Sequence, residues 1–207
     1  MAPWLDSLFD QLKELSGSHW FYLIIFAIAV ADSVVPVVPS ETIVIIGGVS
    51  AGLGEKWLPL VIILGAAGAF VGDNLSYSIG TVFSKRIERR YEKSEKGRRR
   101  LAWAHGQIRE RGGELLVTAR YIPGGRTLVT LTCGITGQPR PWFMTWAAVA
   151  ASLWATYASL LGFIGGKTFS DNHTLAFLVA FGIALSVTAV IEVVRAVRKR
   201  LSARERG

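Results

Sequence analysis

Two arginine-rich segments bracket an apolar stretch, and that arrangement constrains this chain more than any other feature. The first, residues 84–111, carries eleven Lys or Arg against four Glu, and the tail from Arg195 adds six more basic residues. Segments of this kind stay in the cytoplasm, so an even number of membrane crossings must separate them. Residues 142–166 and 174–194 are each apolar and long enough to cross ~30 Å of hydrocarbon, which supplies two. Residues 114–137 must therefore enter and leave on the same side. The YIPGG sequence inside them, with Pro123, Gly124 and Gly125, is the break that a re-entrant pair of half-helices needs. Such backbone is tolerated at membrane depth only where protein or a wet cavity surrounds it.

The rest of the chain follows the same logic. Residues 20–38 form an apolar helix interrupted by Asp32 and Pro36, residues 41–52 are too short to cross, and residues 57–83 are long enough. With 51% hydrophobic and 18% charged residues, the apolar ones in long blocks, the composition is that of a membrane protein. The net charge of +8 is concentrated in two segments, which makes nucleic acid a weak partner. The expected fold is an all-α integral membrane protein, an inverted repeat with two re-entrant helical hairpins plus about four membrane-spanning helices. Residues 1–18 have Trp4, Leu5, Leu8, Phe9, Leu12 and Leu15 at helical spacing, a short amphipathic helix at the interface or one packed on the core. Residues 19–194 form the membrane domain, with a first unit at 19–83, a cytoplasmic basic loop at 84–111, a second unit at 112–166 and a final span at 174–194. Residues 195–207 are a basic tail. Parity puts both termini in the cytoplasm of a multi-pass membrane protein.

Shifting the sequence by 85 residues lays ETIVIIGGVSAG over RTLVTLTCGITG. Glu41 then falls on Arg126, Thr42 on Thr127, Gly52 on Gly137, Trp57 on Trp142 and Gly80 on Gly165, while Pro39 and Pro123 differ by one place. Parity makes the two units opposite in orientation, with the first hairpin opening outside and the second inside. Proteins built this way meet at the bilayer midplane, where half-helix ends and polar side chains face a substrate. The meeting point here would hold Asp32 and Glu41 from one unit and Arg120 and Arg126 from the other. Each charge costs ~2.5 to 3.5 kcal/mol at a helix centre, so four of them call for mutual pairing, a wet cavity, or both. Two readings stay open: ion pairs that only hold the hairpins together, and guanidiniums that grip an anionic head group through forked hydrogen bonds. The N-H groups of the half-helix starting near Gly125 would assist. Carboxylates beside the arginines could exchange protons. Asp73, late in a span, is either a proton relay, a partner for Arg120 or Arg126, or a hydrogen-bonded interfacial carboxylate.

Other motifs carry less. Gly48, Ser50 and Gly52 spell GxSxG, but His19, His105 and His173 all lie outside the spans, so close packing explains the pattern better than a serine hydrolase. Cys133 is the only cysteine, which excludes an intrachain disulfide. No metal motif, nucleotide loop or cofactor site is present, and no enzyme activity is expected. Gly68 and Gly72 make a packing GxxxG. The basic segments serve topology and contact anionic lipids.

The residues resemble the DedA family, whose core is also called the SNARE-associated or VTT domain, over about residues 19–166. The resemblance rests on ADSVVPVVPSE (31–41), GDNLSYSIG (72–80), HGQIRERGG and ARYIPGGR (within 105–126), and GITGQPRPWFMTW (134–146). Two arginines six residues apart, the first followed by an aromatic and a proline, are its strongest signal. The resemblance implies that Asp32, Glu41, Arg120 and Arg126 are required for activity. It further implies lipid translocation across the bacterial inner membrane: of undecaprenyl phosphate in some members and of phospholipids in others, with dependence on the proton motive force. A transporter of small soluble ions or drugs and a non-transporting scaffold are the rival classes. A homodimer is left open.

Overall fold

The computed structural model describes residues 20–35, 40–122 and 124–168, and among these every regular element is a helix. Helix α1 (Trp20–Val34) is apolar up to Asp32 and Ser33 in its last turn and ends two residues before Pro36, whose ring disfavours helical backbone in its predecessor. Helix α2 (Ser40–Gly52) follows. Helix α3 (Leu58–Glu92) starts from an extended Trp57 with a proline in its first turn, and Arg89 and Arg90 meet the negative end of its dipole. Helix α4 (Glu95–Thr118) is capped by Ser94, whose hydroxyl accepts the Gly97 N–H at 3.0 Å. It is kinked at Arg111, whose φ of −133° and ψ of 17° are not helical. A 3₁₀ turn (Ala119–Tyr121) leads past Gly124, which is left-handed at φ 69°, into helix α5 (Gly125–Ile135). Helix α6 (Arg140–Thr168) closes the described chain.

Helices α3 and α6 are long and apolar enough to cross a membrane. Helices α1 and α2, at 15 and 13 residues, reach only ~22 and ~20 Å against ~30 Å of hydrocarbon. Exposed Leu23, Ile63, Leu128, Leu153 and Ile164 fit a surface that faces lipid.

Contacts along the helices give their directions. Tyr22 meets Trp57, Phe26 meets Gly68 and Ser33 meets Gly72 and Ser76, so α1 runs parallel to α3. Gly47 lies against Val61 and Val44 against Gly65, so α2 runs back along α3. Helix α2 then lies parallel to α6, with Gly48 on Ser159 and Gly162, and Gly52 on Phe163 and Gly166. Helix α5 is parallel to α3, with Arg126 at Asp73 and Gly134 at Tyr77. It follows that α2 and α3 form one antiparallel pair and α5 and α6 another, and the two pairs run in opposite senses. The short helix of each pair packs chiefly on the long helix of the other. A Cβ on Gly134 would strike the Tyr77 carbonyl, and one on Gly162 would strike the Ile45 carbonyl, so glycine is what allows each contact. These contacts superpose under the 85-residue shift, Val49 against Gly162 and Gly166 matching Gly134 against Tyr77 and Thr81.

The apolar core is in two parts. Phe21, Ile25, Val44, Ile45, Val49, Val61, Trp154 and Ala158 fill the space between α1, α2, α3 and α6. Tyr77, Ile108, Leu116, Cys133, Phe143 and Ala147 fill the other end, with Tyr77 and Phe143 stacked at 4.5 Å between ring centroids.

One expectation changes. Residues 84–111 are not a loop: α3 continues through Glu92 and α4 resumes at Glu95. Their Lys, Arg and Glu residues are good helix formers, and pairs such as Glu95 and Arg99, 2.6 Å apart, suit a helix surface. Helix α1 begins beside Trp57, at the opposite end of α3 from Arg89 and Arg90; the N-terminus that charge parity assigns to the cytoplasm lies outside the described residues. The amphipathic segment 1–18, the span 174–194 and the tail 195–207 lie outside the described residues.

Candidate functional site

The two chain breaks converge halfway along α3. Asp32 comes from the last turn of α1 and Ser40 begins α2, while Arg120 sits on the 3₁₀ turn and Arg126 is the second residue of α5. Between them stands Asp73 of α3, its side chain 1% exposed. Arg126 donates from Nε to Asp73 Oδ1 at 2.7 Å, from Nη1 to Asp32 Oδ2 at 3.3 Å, and from Nη2 to the Ala69 carbonyl at 3.3 Å. Arg120 donates from Nη2 to Asp73 Oδ2. The Ser40 hydroxyl donates to Asp32 Oδ2 at 2.6 Å, tying the two sides of the first break together.

Neutral hydrogen bonds hold the same junction. The Ser33 carbonyl at the end of α1 accepts from Ser76 of α3 at 2.7 Å and from Thr127 of α5 at 3.1 Å. The Arg126 guanidinium carbon lies 5.9 Å from the centre of the Trp154 ring, so α6 also reaches the site. Helices α1, α3 and α6 thus each come within hydrogen-bond or ring-contact distance of Arg126 on α5.

The arginines differ in how completely they are used. All three nitrogens of Arg126 have acceptors. The Arg120 side chain is 2% exposed, yet its Nε and Nη1 have no hydrogen-bond partner among the described residues. Leaving donors of a buried cation unpaired is costly. An anion with several acceptor oxygens beside Arg120 would relieve that cost, because guanidinium donors lie in one plane that matches carboxylate and phosphate.

Every described residue expected at the site except Glu41 is in this junction. Glu41 is half-buried and forms no ion pair or hydrogen bond with a described residue. The register of α2 on α6 carries it to the level of Trp154 to Ala158, where α6 has no charged side chain. Arg126, its counterpart under the 85-residue shift, has Asp73 on the helix that faces it. The repeat is therefore broken at the point where charge matters, and the arginines pair with Asp73 and Asp32 rather than with Asp32 and Glu41. Gly124 supplies the left-handed turn and Gly125 starts α5, but the Gly125 N–H is donated to the Ile122 carbonyl at 2.8 Å and is not free. Pro39 and Pro123 lie outside the described residues.

Ser33, Ser40, Ser76, Thr127 and Trp154 were not singled out in sequence. Ser33, Ser40 and Thr127 each adjoin one of the expected charged residues, Asp32, Glu41 and Arg126, within an otherwise apolar run, and that adjacency is the signal that could have found them. For Trp154 there is none, because its approach to Arg126 depends on tertiary packing. The GxSxG serine, Ser50, is buried, and its hydroxyl has no partner among the described residues. Among the described residues no group of three His, Cys, Asp or Glu could hold a metal ion.

The VTT domain matches residues 38–164. The chain is 26% identical over 202 residues to Protein DedA of Escherichia coli (strain K12), covering 94% of this chain and 91% of that protein. It is 27% identical over 127 residues to Inner membrane protein YohD of the same organism, covering 61% and 65%. It is 23% identical over 168 residues to Undecaprenyl phosphate transporter A of Staphylococcus aureus, covering 79% and 81%. No solved structure matches.

Proposed function

Because the chain belongs to the VTT-domain family of membrane proteins that includes Protein DedA, we propose that it is a lipid transporter whose centre receives the phosphate of an anionic isoprenoid lipid. Undecaprenyl phosphate is the substrate proposed, in line with the similarity to the staphylococcal transporter of that name. The observation that carries the reading is the buried Arg120 guanidinium with two unpartnered nitrogens at the convergence of both chain breaks. A phosphate oxygen is the acceptor that such donors lack, and the lipid tail remains among the exposed apolar side chains of the bundle.

In this reading α1 and α2 form a re-entrant hairpin that opens at the Trp57 end. The last turns of α4, the 3₁₀ turn and α5 form the second, opening at the basic end, and the opposite senses of the helix pairs make this an inverted-topology repeat. The basic end and the C-terminal tail face the cytoplasm of a bacterial inner membrane.

The junction balances two arginines against Asp32 and Asp73. An arriving phosphate competes with the carboxylates for the guanidiniums, which loosens the hold of Arg126 on Asp32, the longer of its two ion pairs. Protonation of a displaced carboxylate removes its charge and favours the phosphate-bound form, which links transport to protons. Glu41, which pairs with no cation among the described residues, is the carboxylate freest to exchange a proton. The test is reconstitution in liposomes with leaflet-resolved assays of undecaprenyl phosphate and of ordinary phospholipid, with and without a pH gradient. Movement of undecaprenyl phosphate that rises with the gradient is expected. Movement of phospholipid alone reassigns the substrate, and movement of neither by folded protein overturns the proposal.

A further inference from the structure

The basic end of α3 presents a second charged surface, away from the Arg120 and Arg126 centre. Lys85, Arg86, Arg89, Arg90 and Lys93 line a groove of ≈ 670 Å³ together with Val82 and Phe83. Glu88 and the side chains beyond Lys93 are not among the lining residues, so the groove's described wall has five cations and no carboxylate. At its upper end Val82 is 76% and Phe83 46% exposed, which is apolar surface immediately above a cationic one.

The depth of this surface follows from helix geometry. The apolar part of α3 runs from Leu58 to Phe83, ~39 Å along the axis, and crosses ~30 Å of hydrocarbon when the helix is tilted by about 40°. Val82 and Phe83 then sit at the edge of the acyl chains, and Lys85 to Arg90 follow at the level of the head groups. Long cationic side chains in that zone lay their stems on apolar surface and extend their charged ends to phosphate.

We propose that this groove docks acidic phospholipid of the leaflet at the basic end of the bundle, with the head group on Arg86, Arg89 and Arg90 and the acyl chains along Val82 and Phe83. The inference stands apart from the proposed transport. It needs only that the chain lies in a bilayer, and its occupant is a lipid of the surrounding leaflet, held at the rim and not carried. Charge complementarity selects an anionic head group, and the adjoining apolar side chains select a lipid over a soluble phosphate.

The test places the full chain in phosphatidylcholine vesicles containing a small fraction of spin-labelled phosphatidylglycerol or spin-labelled phosphatidylcholine, and reads the motionally restricted fraction by electron paramagnetic resonance. Phosphatidylglycerol should be restricted severalfold more strongly, and salt should weaken that preference. The Arg86→Gln, Arg89→Gln, Arg90→Gln triple variant should lose the preference and the matching Lys triple variant should retain it. If the Gln variant does not fold, the salt series on the native chain and the Lys variant still decide. Equal restriction of both lipids, a preference insensitive to salt, or displacement of the label by soluble glycerol phosphate overturns the proposal. Arg126→Gln, whatever it does to transport, should leave the preference in place, and loss of it there would mean that the two surfaces are one site.

Discussion

Asp73 is the carboxylate shared by both arginines, and its removal leaves two buried guanidiniums competing for Asp32 and backbone carbonyls. Breaking a buried pair by deleting one partner costs about 3–5 kcal/mol. Asp73→Asn should therefore lower the stability of the purified protein by about that much, seen as an earlier thermal unfolding transition. Glu41→Gln breaks no ion pair among the described residues, so its stability should stay within about 0.5 kcal/mol of the parent, whereas the response of transport to a pH gradient should be blunted. Equal losses of stability in the two variants would contradict the pairing. Arg126→Lys keeps the charge but cannot bridge Asp73, Asp32 and the Ala69 carbonyl while lying over Trp154. Transport measured in liposomes should fall at least about tenfold, although the net charge is unchanged. The presence of these charges in apolar sequence was legible, and with it the need for pairing. Asp73 as a partner for Arg120 or Arg126 was one of three readings the sequence left open, and what selects it is the register of α3 on α5, which no local pattern encodes.

At the scale of elements, the fold depends on two seams where backbones touch. Tyr77 to Thr81 of α3 meets Leu131 to Gly134 of α5, and Ser159 to Gly166 of α6 meets Ile45 to Gly52 of α2. Gly134→Ala and Gly162→Ala each place a methyl group against backbone carbonyl, which cannot move aside as a side chain can. Each should destabilise by about 1–3 kcal/mol, as overpacking does, while Gly165→Ala should be neutral because nothing lies within 4 Å of its added Cβ. Thermal unfolding of the three variants checks this, and a loss in Gly165→Ala as large as in the others would count against the seams. The 85-residue offset made the two helix pairs legible. It did not reveal that each short helix packs on the other pair's long helix, since identity at a fixed offset says which segments are alike and nothing about which touch. The basic segment was misread for a related reason. Charge density fixes the side of the membrane, whereas helicity follows from propensity, and Lys, Arg and Glu satisfy both demands at once.

At the scale of the whole molecule, the directions of the helices make a prediction about sidedness. Glu55 lies in the connection between α2 and α3, at the Trp57 end, and Lys96 lies in the first turn of α4, beyond the basic end of α3. Both are exposed, and α3 puts them at opposite ends of a helix of 35 residues, ~52 Å long, which exceeds the thickness of the hydrocarbon. The native Cys133 is fully buried, so it gives a silent background for single-cysteine labelling. In intact cells a membrane-impermeant maleimide should label Glu55→Cys, and Lys96→Cys should react only after the inner membrane is opened. Reaction of both from one side would mean that α3 does not cross, and would remove the basis for reading α1 with α2, and α5 with its preceding turn, as hairpins dipping from opposite faces. Reaction of Lys96→Cys alone from outside would keep the crossing and invert it, placing the eleven basic residues of 84–111 on the wrong side for the charge rule from which the topology was reasoned.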